Sequence, residues 1–440
     1  MKRDIEVTKV NNFLLYLLIG VVPLIVIPVD GKLETAWTKL LFMLGISLFF
    51  LYLSIRRRDQ IIFMENTLEN RFLAGYFILV LISLFFSLDP LISFYGSGYR
   101  HDGFLALIAY CFAYLIARNA KDVEKHFFPI ITITSLLVAV YAILQFYKMD
   151  PVPIELYKLE WIGVAFATMG NPNFLGSYLV LSIPMPIYLY FYKGKKLGLL
   201  AYAVLFFALL TTRTRGTWIG VFIALIAFLV LHHIRSGFTK KQKKKAVTVF
   251  LTSMGMILLF MITSGNVFLT RFLSIFSDFF SIIKEEETAY LGGSSRVYIW
   301  GKVIELIKMR PFFGFGLDTM YIAMEMYFRG QITYDFGVYR NFDKAHNEYL
   351  NIAVSSGLFS LFAYLGFLFF TIRKGMRKLK NHEAYVPILA AIIGYLTQAF
   401  FNIQVVMVYY IFFVYLGIAS SEQAIRVEKT EATAAENYIQ

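Results

Sequence analysis

Asp343-Lys344-Ala345-His346-Asn347-Glu348-Tyr349-Leu350 closes the longest polar interval of the chain, which runs from about Gly265 to His346. That interval holds Arg296, Trp300, Arg310, Arg329, Arg340 and His346 and cannot be buried in lipid. Nearly everything on either side of it is apolar and comes in lengths that fit a bilayer. Because an unpaired backbone group in hydrocarbon is so costly, such lengths read as helices. The stretch therefore divides the chain into a membrane scaffold and one segment that the scaffold presents to water.

Composition agrees. Hydrophobic residues make up 58% and charged residues only 16% of the sequence, against about a quarter charged in soluble domains. The net charge of +13 does not point to nucleic acid, because the lysines and arginines sit in short loops between apolar runs, as the positive-inside rule predicts. One cysteine, Cys111, lies inside an apolar run, which excludes an intrachain disulfide and a cysteine-based metal site. No small-residue cleavage site follows the first apolar run, so it reads as a retained span rather than a signal peptide.

A span needs roughly 17–25 apolar residues, and on that basis about twelve are expected. Nine fall within residues 1–264, a large outer loop occupies 265–345, three more spans fall within 346–420, and 421–440 is a polar tail. The basic runs Arg56-Arg57-Arg58, Lys193-Gly194-Lys195-Lys196, Lys240 to Lys245 and Arg373-Lys374 all fall on one side, together with both termini. That side is expected to be cytoplasmic. The other side receives Arg100, Arg213, Arg215 and the whole 265–345 interval. Arginines kept there against the topological bias are expected to be functional. Within the interval, Val297, Trp300, Val303, Ile304 and Ile307 share one helical face opposite Lys302, Glu305 and Lys308, which predicts an amphipathic helix on the membrane surface with Arg296 at its start.

Of the six histidines, His126, His232, His233 and His382 fall on the cytoplasmic side by this topology and are read as solvated. His101 and His346 fall outside. A neutral imidazole at the mouth of a span, where His346 lies, is suited to take a proton from a hydroxyl. There is no P-loop, no dinucleotide fingerprint and no zinc spacing. The outer acids Asp89, Asp102, Asp318, Asp335 and Asp343 form no Asp-x-Asp pair, so no metal is expected. Guanidinium groups, which bind phosphate bidentately and stay charged, can supply the charge neutralisation instead.

Gly170-Asn171-Pro172-Asn173, Thr212-Arg213-Thr214-Arg215-Gly216, Arg296…Trp300…Arg310-Pro311…Gly314-Phe315-Gly316 and His346-Asn347…Gly357-Leu358-Phe359-Ser360 resemble the O-antigen ligase and polymerase superfamily. The family pattern is His, then Asn/Ser/Gln, nine residues, Gly, two residues, then Gly/Thr/Tyr. His346, Asn347 and Gly357 fit it, and Ser360 departs at the last position.

The resemblance implies an all-α, GT-C-like, multi-pass protein of the bacterial inner membrane with both termini cytoplasmic and its site on the periplasmic face. It implies a metal- and cofactor-independent glycosyltransferase. The donor would be a glycan on undecaprenyl diphosphate, and the acceptor a sugar hydroxyl, foremost that of lipid A-core. Transfer to the next repeat unit by a polymerase, or to a protein hydroxyl, stays open. Carried over by position, Arg215 and Arg296 correspond to diphosphate-binding arginines, with Arg213 and Arg100 as further candidates. His346 corresponds to the catalytic histidine, with Asn347 and Asp343 in support. Two other readings remain. One is a transporter of the same lipid-linked glycan. The other is a peptidoglycan-type polymerase relying on Asp318 or Asp343.

Overall fold

The computed structural model describes residues 2–29, 32–61, 63–98, 100–153, 156, 164–265, 269–271, 273–274 and 295–426. Its helices are α1 (Lys2–Gly20), α2 (Ala36–Arg56), α3 (Leu68–Phe85), α4 (Pro90–Tyr95), α5 (Phe104–Arg118), α6 (Glu124–Phe146), α7 (Pro172–Ser182), α8 (Pro184–Phe191), α9 (Lys196–Thr211), α10 (Arg215–Ser236), α11 (Lys240–Ser264), α12 (Arg296–Met309), α13 (Met320–Phe336), α14 (Glu348–Ser356), α15 (Leu358–Leu379), α16 (Tyr385–Gln398) and α17 (Tyr409–Ser420). A small antiparallel pair, Ile27–Val29 with Lys32–Glu34, joins α1 to α2. Most of the expected 265–345 loop up to Ser294, and the tail beyond Arg426, lie outside the described residues.

Among the described residues, eight helical stretches are long and apolar enough to cross a membrane: Glu6–Leu24, α2, α3, α6, Pro172–Phe191, α10, α11 and α15. The shorter apolar helices α5, α9, α16 and α17 fill the remaining places where spans were expected. The bundle is apolar on its outside as well as inside. Along α11, Phe250, Leu251, Leu258 and Ile262 are exposed, as suits a lipid-facing surface. At the centre, every residue of α17 is buried. Close packing there depends on small residues, as usual between membrane helices. A Cβ on Gly394 of α16 would lie 2.6 Å from Ala224 Cβ and 2.8 Å from the Gly220 carbonyl of α10. One on Gly417 would lie 2.5 Å from the Tyr114 carbonyl of α5.

The two ends of the bundle differ chemically. The end that carries the basic runs is tied by ion pairs between helix ends: Arg118 with Glu65, Lys374 with Glu69, Lys193 with Glu124, and Arg235 with Glu383. Two of the four histidines of this end depart from the expected solvation, while His126 and His233 are exposed. His232 is fully buried, its Nδ1 2.6 Å from the Tyr192 hydroxyl, and His382 Nε2 lies 3.2 Å from Glu124. Their basic neighbours marked a polar surface, but aromatic packing from Phe191 and Phe238 covers His232. The start of the polar tail is also held, with Asp122 and Val123 N–H donating to the Gln423 and Ala424 carbonyls.

At the opposite end, α12 and α13 form a small core of their own around Val303, Leu306, Met324, Phe328 and Ile332. This corrects the expected surface helix. The buried face of α12 is Ile299, Lys302, Val303, Leu306 and Ile307, while Val297 and Ile304 are exposed. Lys302 can sit on the buried side because its ammonium reaches Glu305 and Gln331 at 2.9 and 2.8 Å while lying over the Phe328 ring. Other arginines of the interval have local partners: Arg329 pairs with Glu325 on its own helix, Arg340 stacks on Phe336, and Arg310 lies over Phe315.

Candidate active site

The stretch 343–350 does not lead straight into a long span. A nine-residue helix, α14, starts at Glu348 and ends at Gly357, where φ is +89° and the long helix α15 begins afresh. A side chain at Gly357 would meet the Phe312 carbonyl at 1.9 Å, and Leu358 N–H donates to the Pro311 carbonyl. Just upstream, Phe315 and Gly316 N–H donate to the carbonyls of Val354 and Ser355. Gly316 (φ +102°) has no room for a Cβ, which would lie 2.1 Å from Ser87 Oγ. The two glycine motifs of the sequence are thus the two sides of one contact, which fixes where α14 starts and hence where His346 stands.

His346 itself has φ +48°, an unfavourable region for a side chain bearing Cβ. It is held there from several directions. Trp300 Nε1–H of α12 donates to the Ala345 carbonyl at 3.0 Å. Asn347 caps α14, its Oδ1 accepting Leu350 N–H at 3.0 Å. Glu348 N–H donates to the Ala399 carbonyl at 2.8 Å. Asp343 pairs with Arg100 at 2.8 Å. Lys344 lies buried between Asp318 at 2.8 Å and Asp102 at 3.6 Å.

The imidazole stands in a positive field. Burial first, and then the guanidiniums of Arg296 and Arg100, lower its pKa to about 4, with Asp343 acting in the opposite sense. At neutral pH it is therefore an unprotonated acceptor. Arg296 stands at the first position of α12, after Ser295 in a left-handed conformation. Arg100, Arg296, Asp343 and His346 are thus gathered in one place, and Asn347 supports them as the cap.

Arg215 and Arg213 lie on a neighbouring wall. Arg215 opens α10 and donates to Ser274, to its carbonyl at 3.1 Å and its Oγ at 3.0 Å. Arg213, at φ +54°, lies over the Phe146 ring and has Arg271 as a like-charged neighbour. The turn 399–402 joins this wall to His346. A Cβ on Gly216 would lie 2.9 Å from Phe401 Cβ, Ala399 holds Glu348, and Asn402 Nδ2 donates to the Asn173 carbonyl and Ser177 Oγ of α7. The N-terminal ends of α7, α10 and α14 consequently meet around one turn, and helix N-termini favour anions.

Sequence reasoning missed Lys344 with its two aspartates, and it missed Arg271. The signal for the first was a lysine and unpaired acids on the same side of the membrane. His101 packs instead against Trp37, with ring centroids 4.8 Å apart. Among the described residues no three of His, Cys, Asp or Glu are grouped as metal ligands.

Below the Arg213–Arg215 turn, α8, α9, α10 and α11 form a half-open apolar cavity of about 570 Å³, lined by Leu210, Trp218, Val221, Leu225, Phe228 and Ile257 among others. Its lining on α10 runs from Trp218 to Leu229, roughly 16 Å of helix.

Residues 200–365 match the O-antigen ligase family. Over this stretch the chain is similar to that family. This bears out the resemblance read from the motifs. The matched stretch runs from α9 to the first turns of α15, and so includes Arg213, Arg215, Arg296, Lys344 and His346 and leaves Arg100 and Asp102 outside. No curated protein and no solved structure matches the chain.

Proposed function

We propose that the chain transfers a glycan from undecaprenyl diphosphate to an acceptor hydroxyl, foremost that of lipid A-core, on the periplasmic face of the inner membrane, with both termini cytoplasmic. One observation carries this reading: a neutral imidazole set among guanidiniums where helix N-termini meet, with an apolar groove running below the neighbouring Arg213–Arg215 turn. The reaction breaks the bond between the anomeric carbon and the diphosphate oxygen while the acceptor oxygen attacks that carbon from the opposite face, which inverts it. Negative charge grows on the leaving oxygen. Arg215 and Arg296, with Arg213 and Arg100 nearby, stabilise that charge more as it grows than in the ground state. His346 takes the acceptor's proton. Asn347 and Asp343 hold the segment around it. The apolar cavity receives the prenyl tail.

The test mixes purified, chelator-treated protein with defined undecaprenyl-diphosphate glycan and either lipid A-core or a second donor molecule. Glycan on lipid A-core is the expected product. Product found only as longer lipid-linked glycan would make the protein a polymerase, and no product with either would defeat the reading. For the tail, Leu225→Trp fills the cavity midway. A few CH₂ groups turned out of it at about 0.8 kcal/mol each raise KM for the full-length donor by about tenfold, while a short-prenyl donor is unaffected.

A further inference from the structure

His346 is flanked, two residues to either side, by ionisable side chains with almost no exposure: Lys344 at 2% and Glu348 at 0%. Each is locked by a different network. The Lys344 ammonium lies between Asp318 and Asp102, which are themselves 3% and 1% exposed at their side chains. Asp318, at φ +59°, accepts Ser97 N–H at 2.6 Å, and Asp102 accepts the Tyr110 hydroxyl at 3.0 Å. On the other side Tyr364 and Tyr395 donate to the Glu348 carboxylate at 2.6 and 3.1 Å, and the Tyr409 hydroxyl lies 2.9 Å from it. Buried charges are a poor means of stabilising a fold, since apolar residues of like volume do as well or better. What a buried ion cluster supplies is direction, because its partners must meet at fixed points. Here the fixed points come from distant parts of the chain: the 97–102 turn, the 318 turn and the segment 343–348.

We propose that Lys344 is a positioning residue for His346, acting through the Asp102–Lys344–Asp318 cluster, with Glu348 as the anchor on the other side. This rests on His346 being the proton acceptor of the proposed reaction. A histidine in a left-handed conformation keeps it only while its surroundings hold it. With both flanking residues pinned, His346 has little freedom except about its side-chain bonds. Loss of one pin lets the imidazole leave the line of the acceptor hydroxyl without touching Arg215 and Arg296, which sit on α10 and α12.

The decisive variant is Lys344→Met/Asp318→Asn. It removes the cation and one anion together and keeps the volume; Asp102, whose pKa burial already raises, retains the Tyr110 hydroxyl and takes up a proton. We expect a thermal midpoint near wild type, an unchanged donor KM, and a kcat lower by on the order of 10²-fold, the usual effect of a small misplacement at a reacting group. A second readout does not depend on transfer activity: modification of His346 by diethyl pyrocarbonate, followed by mass spectrometry, becomes faster in the variant. Wild-type kcat together with wild-type His346 reactivity would overturn the proposal. If the wild-type protein transfers no glycan, the proposed function fails, whereas the reactivity arm still decides the positioning role. Should the double variant not fold, Asp102→Asn keeps the Tyr110 hydrogen bond and the shape of the site. Faster modification is expected there too, and an unchanged rate would sink the idea.

Discussion

His346→Ala lowers kcat for glycan transfer by about 10²–10⁴-fold, the range usual for losing a general base, with donor KM little changed. In the proposed reaction the donor is held by arginines on three separate elements, the 100 turn, α10 and α12. The pH profile separates a base from a mere spacer. The wild-type imidazole is lowered to about 4 by burial and by Arg296 and Arg100. It is therefore unprotonated from about pH 5 upward, and the acid limb of kcat/KM, which reports the free enzyme, lies near pH 4 rather than near the ordinary value of about 6.5. Binding of an anionic diphosphate beside Arg296 offsets part of the positive field. The limb of kcat, which reports the bound complex, then moves to higher pH than that of kcat/KM. Arg296→Ala removes a cation and shifts the free-enzyme limb in the same direction. An acid limb that stays put in Arg296→Ala would show that the titrating group is not His346.

Much of this was legible in the sequence, for a reason particular to membranes. Lipid admits helices almost alone, so the lengths of apolar runs suffice to place them. The mouth of a span drew attention to His346, and the motif resemblance, with the sidedness of basic runs, made Arg100, Arg215 and Arg296 candidates. What the sequence could not give was which face of a helix meets another protein element. Lys302 on α12 reads as polar and therefore outward, yet its stem is buried against α13 because Glu305 and Gln331 meet its ammonium. His232 reads as solvated from its basic neighbours, yet aromatic rings cover it. The break at Gly357 was read as part of a motif, but its cause is the Phe312 carbonyl, 45 residues upstream in sequence and in contact in space. The Lys344 cluster is the extreme case, since its members Asp102, Asp318 and Lys344 come from three separate loops. Pairings of that kind carry no periodicity, and only the folded arrangement reveals them.

The largest loss is expected from Arg215→Ala/Arg296→Ala. Removing a single preorganised donor from a site of developing negative charge costs about 10²–10³-fold in kcat. Two arginines acting on the same leaving group exceed either alone, without being strictly multiplicative, because neighbours that share a partner do not add. The two residues approach from different walls: Arg215 from the first turn of α10, tied to Ser274, and Arg296 from the first turn of α12, beside the imidazole. Neither is part of the apolar core, so the double variant should keep the thermal midpoint of the wild type. The loss falls on kcat as well as on KM, because growing charge is bound more tightly than the charge of the resting diphosphate. The single variants differ in one respect. Arg296→Ala moves the acid limb of the pH profile more than Arg215→Ala, since Arg296 heads the charged neighbours that lower the pKa of His346. Lysine in place of either arginine restores part of the activity, because a point charge remains while the paired hydrogen bonds to phosphate are lost. Full transfer by the folded double variant, measured with the same defined donor and acceptor, would remove the arginines from the mechanism and with them the electrostatic account of how the diphosphate leaves.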